Sequence, residues 1–276
     1  MPEGDTIYRA AKSLRPALEG RQIVAAKGWK RFVDSTQLRG DTVKTVEARG
    51  KHLLFHLQSG NTIHSHMGMT GSWHIYEQNQ PWQKPPQQAA LTLETDRNYS
   101  VVCFTPKLLE LLSATDLRRH RWLARLAPDL LDPNFGHVDT DEILRRFHIH
   151  RSTPIGEAIM NQSVICGVGN VYKSEVLFLL GLNPFAAVKE FDADTLKSLV
   201  TESRRLMRRN LDGRSRQTKF GMNGRPGKKW VYGRSGDGCL KCGATIQMRR
   251  QGDLGRSTYY CVECQKVAGL ARVRAE

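Results

Sequence analysis

The sequence predicts an α+β protein built in successive parts, with a β-rich N-terminal region, a helical region and a small C-terminal module pinned by cysteines. Three observations carry this prediction. Seven short β-branched and aromatic runs (23–26, 42–48, 52–57, 62–66, 72–76, 90–95 and 99–104) are separated by Gly, Asn and Asp, a spacing that suggests a sandwich or barrel. From about residue 139 to 210 the apolar residues recur at helical intervals instead. Four of the six cysteines, Cys239, Cys242, Cys261 and Cys264, crowd into the last 38 residues.

Ahead of the β runs, residues 5–18 place Ile7, Ala10, Ala11, Leu14 and Leu18 on one helical face, with Asp5 as the expected cap and Gly20 as the stop. Pro16 lies inside this helix and is expected to kink or shorten it. Residues 78–88, with three prolines and five glutamines, read as an exposed loop. Prolines with acidic and amide residues at 127–136 mark an interdomain linker. Helices are predicted over 139–147, 154–161, 170–180 and 194–209, the third stopped by Gly181 and Pro184. A Gly- and Arg-rich stretch without periodicity, 213–229, leads into the cysteines. The expected domains are 1–126 (β-sandwich), 137–230 (helical), 231–265 (cysteine module) and a tail, 266–276.

Lys and Arg number 42 against 27 Asp and Glu, a net charge of +15, which points to a polyanionic partner rather than to solubility alone. The longest apolar stretch, 176–182, is far short of the roughly 20 residues of a membrane span, and no apolar signal core follows Met1. A cytoplasmic chain without a membrane partner is expected. The cysteines read C-x2-C, eighteen residues, C-x2-C, which presents four thiolates on opposed turns as in tetrahedral structural zinc sites. Two disulfides are the alternative, disfavoured because nothing marks the chain as secreted. Cys103 and Cys166 are expected to be reduced, partly buried thiols.

Three places carry chemistry. Removal of Met1 would leave Pro2 with a free secondary amine. An α-amino group titrates near 8, so an unprotonated fraction able to attack a sugar C1′ exists at neutral pH, and Glu3 beside it could move the proton. Many proteins begin Met-Pro, so this feature alone has a bland explanation. The run Gly167-Val168-Gly169-Asn170 opens a helix and turns amide N–H groups outward, which suits a phosphate or serves merely as a helix corner. Arg256, between the cysteine pairs, is either a fixed fork for a phosphate or a solvated hairpin arginine.

Taken together and in order, Met1-Pro2-Glu3-Gly4-Asp5, Arg49-Gly50-Lys51-His52-Leu53, Ser65-His66-Met67-Gly68-Met69-Thr70-Gly71-Ser72-Trp73, Pro154-Ile155-Gly156-Glu157-Ala158, Asn161 and Gln162 through Glu175, and Val231-Tyr232-Gly233-Arg234 resemble the bacterial formamidopyrimidine-DNA glycosylase and endonuclease VIII family. The likeness runs from residue 1 to about 265. It implies an N-terminal β-sandwich with flanking helices, a helix-two-turn-helix domain and a four-cysteine zinc-finger hairpin holding one structural zinc, with double-stranded DNA passing between the domains. It also implies a monomeric, bacterial, cytoplasmic repair enzyme, nucleoid-associated when bound to DNA. Its substrates would be duplexes containing oxidised bases or abasic sites. By the likeness, Pro2 is the nucleophile and Glu3 moves protons. Lys51, Asn170 and Arg256 hold phosphates around a flipped nucleotide, and Arg125 is a further backbone contact.

The opening Pro-Glu-Gly-Asp resembles the endonuclease VIII branch, which favours oxidised pyrimidines. The purine branch usually continues with a Leu-Pro-Glu run whose glutamate is here Thr6. No counterpart of that branch's Arg and Phe pair stands near 103–109, which leaves Met69, between Gly68 and Thr70, as the candidate wedge. Eighteen residues separate the cysteine pairs where sixteen is commoner, so a longer hairpin tip is expected. A non-catalytic zinc-ribbon DNA-binding protein is the rival interpretation, and it has no need of Pro2, Glu3 or Lys51. A damage-binding family member without activity is a third.

Overall fold

The structure, a computed structural model, describes residues 2–29, 32–213, 215–220 and 229–266. Met1, most of the tail expected at 266–276, and residues 214 and 221–228 of the aperiodic stretch lie outside the described residues. The chain divides into two compact units, Met1–Arg125 and Leu126–Glu276.

In the first unit α1 spans Gly4–Leu18, one residue longer at its start than predicted. Its N-cap is Glu3, not Asp5. Asp5 is buried in the first turn, where the positive helix end, Thr6 Oγ1 at 3.3 Å and Arg9 at 3.7 Å offset its burial. Pro16 does not break the helix. It lies in the last turn on the exposed side, and Lys12, whose carbonyl loses its helical partner, is exposed as well. Past Leu18 the chain turns at Gly20, φ +71°, a left-handed conformation that stops the helix.

The sandwich consists of β1 (Arg21–Gly28), β2 (Thr42–Arg49), β3 (His52–Leu57), β4 (Thr62–His66), β5 (Ser72–Glu77), β6 (Ala89–Thr95), β7 (Tyr99–Phe104) and β8 (Leu108–Leu112). All pairings are antiparallel, in the order β5-β7-β6-β1-β2-β3-β4-β8. β1 belongs to both layers: Arg21 and Gln22 pair with β2, and after a register shift between Ile23 and Ala25 the rest pairs with β6. Val43, Val46, Leu53, Phe55 and Ile63 of one layer share a buried core with Leu91, Leu93, Val101 and Cys103 of the other and with Ile7, Leu14 and Leu18 of α1. Each such aliphatic or aromatic side chain contributes about 1.5–3 kcal/mol by burial. β8 was not predicted, because Leu-Leu-Glu-Leu-Leu has no β-branched or aromatic residue; its pairing with β4 makes it a strand. A short helix, α2 (Ala114–Arg119), follows, capped by the Ser113 side chain on Asp116 N.

In the second unit the segment expected as an interdomain linker, 127–136, is packed in place. Ala127, Leu130 and Leu131 are buried, Ala127 N donates to Gln162 O (2.9 Å), and Asp129 bridges Cys166. Its prolines mark turns, while the apolar residues between them decide its burial. α3 (His137–Ile149), α4 (Ile155–Ala158), α5 (Asn170–Leu179) and α6 (Ala193–Arg208) follow. α4 is shorter than the predicted 154–161, and beyond it Asn161 Oδ1 turns the chain by accepting from Ser163 N (3.0 Å) and Oγ (2.8 Å). β9 (Ile246–Gln251) and β10 (Arg256–Cys261) form a hairpin whose tip is residues 252–255. A Cβ on Gly156 would lie 2.5 Å from Gln251 Oε1 and 2.8 Å from Pro184 O, so the hairpin seats against α4 only because that position is glycine.

Candidate functional site

At the N-terminus Pro2 is half-buried, and Glu3, its neighbour, is fully buried at the cap of α1. The Glu3 carbonyl accepts the helix's first amides, from Thr6 (2.9 Å) and Ile7 (3.2 Å), while its side chain does not cap the helix. The local fold thus anchors the backbone on which Pro2 stands and takes the carboxylate beside it out of water.

Lys51 is the second residue of the two-residue turn joining β2 to β3, where Arg49 pairs with His52 and Gly50 supplies φ +57°. Lys51 and Lys107 both lie near enough to His66 to lower its pKa, which burial pushes down first, to about 4. Lys107 N donates to His66 O (2.9 Å). The structure therefore gathers Lys51, Lys107 and His66 at one place, and the last two were not singled out from sequence. The sequence signals for them are a basic residue after Pro106 and the place of His66 in the string from Ser65 to Trp73.

Met69 is 76% exposed in the β4–β5 turn. That turn is closed by Gly71 N donating to Met67 O (3.0 Å), and a Cβ on Gly71 would lie 2.3 Å from the same carbonyl oxygen. A bare thioether side chain held out on a rigid turn is suited to insertion. Arg125 is exposed at the end of a short 3-10 turn, Leu123–Arg125.

In the second unit, Asn170 is the first residue of α5, after Gly169 as N-cap. The preceding loop is held by Gln162, which accepts from Gly167 N (3.0 Å) and donates to Val168 O (3.0 Å) and Met160 O (2.9 Å). Asn170 is only 6% exposed, and its Oδ1 has no hydrogen-bond partner among the described residues. A buried side-chain oxygen without a partner is costly, and a half-turn about the last bond would put donors where that oxygen stands, which suits an external acceptor.

Arg256 opens β10 beside the tip, paired with Gln251, and with Lys173, Asn161, Glu157 and Asp253 it lines a cavity of about 380 Å³. Lys173, 1% exposed on α5, donates to Ser257 O (3.1 Å) and Thr258 Oγ1 (2.7 Å). Thr258 donates to Gln251 Oε1 (2.9 Å), and Gln251 Nε2 donates to Pro184 O (2.9 Å). The helix that begins at Asn170 and the strand that begins at Arg256 are thereby tied into one rigid piece. These tethers were missed from sequence, although a lysine next to Val171 and Tyr172 and three and four residues before Val176 and Leu177 in α5 is the signal that marks them. Glu175, fully buried, accepts from Trp230 N (2.7 Å), Val231 N (2.9 Å), Tyr232 N (2.7 Å) and Thr218 Oγ1, holding the segment that enters the cysteine module.

The four cysteines meet. Their sulfurs lie within 4.8 Å of one another, with Cys242–Cys261 and Cys242–Cys264 at 3.5 Å and Cys239–Cys264 at 3.8 Å. A tetrahedron with metal–sulfur bonds near 2.3 Å has edges of about 3.8 Å, whereas a disulfide needs about 2.05 Å. The arrangement fits one tetrahedral ion and excludes paired disulfides. Cys103 and Cys166 are buried free thiols.

Comparison with known proteins agrees with this geometry. The formamidopyrimidine-DNA glycosylase N-terminal domain family matches residues 1–109 and the formamidopyrimidine-DNA glycosylase H2TH domain family matches residues 126–220. A probable endonuclease 8 2 of Streptomyces coelicolor is 36% identical, with 96% of this chain and 94% of that protein covered. The DNA-(apurinic or apyrimidinic site) lyase Nei2 of Mycolicibacterium smegmatis is 35% identical over 96% of this chain and 99% of its own length. Among solved structures, a Lactococcus lactis formamidopyrimidine-DNA glycosylase bound to abasic-site DNA shares the fold at a TM-score of 0.79 and 23% identity, covering 96% of this chain and 99% of its own. No described helix is long and apolar enough to cross a membrane. With both of its halves matched and its relatives named endonuclease 8, the chain belongs to the formamidopyrimidine-DNA glycosylase and endonuclease VIII family, on the endonuclease VIII side.

Proposed function

We propose that the protein is a bifunctional DNA glycosylase and abasic-site lyase of base excision repair, acting on duplexes with oxidised bases, pyrimidines foremost, through the amine of Pro2. The observation that carries this is Pro2 joined to a fully buried Glu3 at the start of α1 in a chain of this family. The Pro2 nitrogen attacks C1′, and the glycosidic bond breaks with its electron pair leaving on the base. Glu3 protonates the ring oxygen, the C1′–O4′ bond opens and an iminium forms. The iminium acidifies the C2′ proton, whose removal expels the 3′ phosphate by β-elimination, and δ-elimination then expels the 5′ phosphate. Hydrolysis returns the free amine.

Lys51, Asn170 and Arg256 hold phosphates around the flipped nucleotide, Arg125 adds a backbone contact, and Met69 fills the space the nucleotide leaves. Support for these roles comes from the turn that presents Lys51, the unpartnered side-chain oxygen of Asn170, the tethered strand under Arg256 and the exposure of Met69. Cys239, Cys242, Cys261 and Cys264 would hold one structural zinc at the hairpin base, supplying folding energy and no chemistry.

The test is borohydride trapping on an abasic duplex with the Met1-processed protein and with an N-terminally extended form. The processed protein forms a covalent adduct; the extended one, its nucleophile inside a peptide bond, binds DNA but traps none. Equal trapping would move the nucleophile elsewhere, with Lys51 the next candidate, and no trapping by either would favour a non-catalytic binder.

A further inference from the structure

On β3, β4 and β8, the sheet face away from the core carries a line of polar side chains. Leu54 pairs with His64 and His64 with Glu110, so alternation puts His52, His64 and Glu110 on one face while Leu53, Phe55 and Ile63 point into the core. The line is nonetheless dry at its centre: His64 is 0% and His52 7% exposed. His120, the residue closing α2, joins it from the side.

The hydrogen bonds assign every proton. Leu123 N–H donates to His120 Nδ1 (3.2 Å), so that nitrogen is bare and the ring's proton is on Nε2, which donates to Glu110 Oε1 (2.9 Å). His64 Nδ1 meets the same carboxylate oxygen at 2.8 Å and donates too, because a carboxylate only accepts. Burial lowers the pKa of His64 and favours its neutral ring, which leaves Nε2 as an acceptor, so His52 Nδ1, 2.8 Å away, donates to it. His52 is thus a neutral ring with its proton held inward. Burial first, then its histidine neighbours and Lys51, push its pKa down to about 2, in keeping with that state. The same groups include a two-histidine, one-carboxylate set, His64, Glu110 and His120, close enough to hold a cation. The Leu123 contact argues against one, since it keeps a proton on the very nitrogen a metal would need.

His52 is the residue directly after Lys51 and closes the turn that presents it. We propose that Glu110, acting through His64, is a positioning residue for the phosphate contact of Lys51: the relay Glu110–His64–His52 locks His52 in one tautomer and orientation and so fixes the base of the Lys51 turn. This rests on the phosphate role of Lys51 given above.

The experiment uses the full-length, zinc-loaded protein as Glu110→Ala, Glu110→Gln, Lys51→Ala and the Lys51→Ala/Glu110→Ala double variant. Histidine ¹⁵N spectra report the His52 tautomer, and binding to an abasic-site duplex is read beside the single-turnover cleavage rate at saturating protein. With Glu110→Ala the single His52 tautomer gives way to a mixture, affinity falls about five- to tenfold, the scale of one or two net hydrogen bonds, and the saturated rate changes less than about twofold. Glu110→Gln, whose Oε1 still accepts both N–H groups, recovers the tautomer and most of the affinity. In the Lys51→Ala background Glu110→Ala costs less than about twofold more, because the two act through one contact. An unchanged tautomer in Glu110→Ala, additive losses in the double variant, or a second zinc equivalent that Glu110→Ala abolishes would each overturn the relay. Unaltered binding by Lys51→Ala, with the tautomer still responding to Glu110, would instead overturn the Lys51 role alone.

Discussion

The two units hold their proposed site residues by opposite means. In the first, Pro2, Glu3 and Lys51 are attached to a sandwich whose two layers and helix α1 share one extended apolar core. In the second, the piece carrying Arg256 has a small apolar cluster, Phe178, Val231, Cys239, Ile246 and Cys261, and two of those five residues are themselves metal-ligand candidates. What it lacks in apolar burial is supplied by polar tethers, Lys173 to β10, Gln251 to Pro184 and Glu175 to the 230–232 amides, and by four converging thiols. Apolar burial is tolerant and non-directional, whereas tethers and thiolates are directional and fail one at a time. Chemistry should therefore survive damage to the second unit better than affinity does.

The largest expected effect sharpens the chemical side. Glu3→Gln keeps the amine and the shape but removes the proton carrier. Excision of an oxidised base should fall about 10²–10⁴-fold, while lyase activity on a preformed abasic site, which has no base to expel, falls far less. Parallel single-turnover assays on the two duplexes check this, and equal losses on both would show that ring-oxygen protonation by Glu3 is not what excision of the base specifically needs.

Next comes the metal. Cys261→Ser should release zinc, disorder the hairpin and weaken duplex binding about 10–100-fold, leaving the thermal transition of the sandwich in place. Metal analysis with calorimetry measures both. Zinc kept at one equivalent with normal affinity would break the comparison at its root.

A smaller loss is expected from Lys173→Met, which keeps the length of the side chain but leaves Ser257 O without its donor. The second unit should lose about 1–3 kcal/mol of stability in denaturant titration, with no change in the first unit. The smallest effect is on the electrostatic slope. Arg256→Ala should reduce the fall of log K with log salt by about 0.9, one phosphate's worth, while the chemical rate on saturated DNA is reduced much less than the affinity. A slope identical to the wild type would return Arg256 to the solvent.

Much was legible in the residues themselves. Short β-branched and aromatic runs between Gly, Asn and Asp marked seven of the eight sandwich strands, because such side chains fit a pleated, buried surface and the residues between them fit turns. The cysteine spacing announced a tetrahedral site, because four soft ligands on two tight turns have few other uses. Pro2, Asn170 and Arg256 each had a local reason to be noticed and an equally good bland explanation, and Lys51 had none; only the strings that resemble a family singled the four out together, since a terminal amine or a single basic residue has no local signature of its purpose. What escaped the sequence has a common cause. β8 is a strand because β4 offers an edge to Leu108–Leu112, and 127–131 is buried because Gln162 and Cys166 receive it. Lys173 meets Thr258 across 85 positions, and Glu110 meets His64 across 46. Local pattern determines which backbone states and which faces a segment prefers; only the closed tertiary structure decides which distant polar groups meet, because a hydrogen bond depends on fractions of an ångström that no spacing rule along the chain encodes.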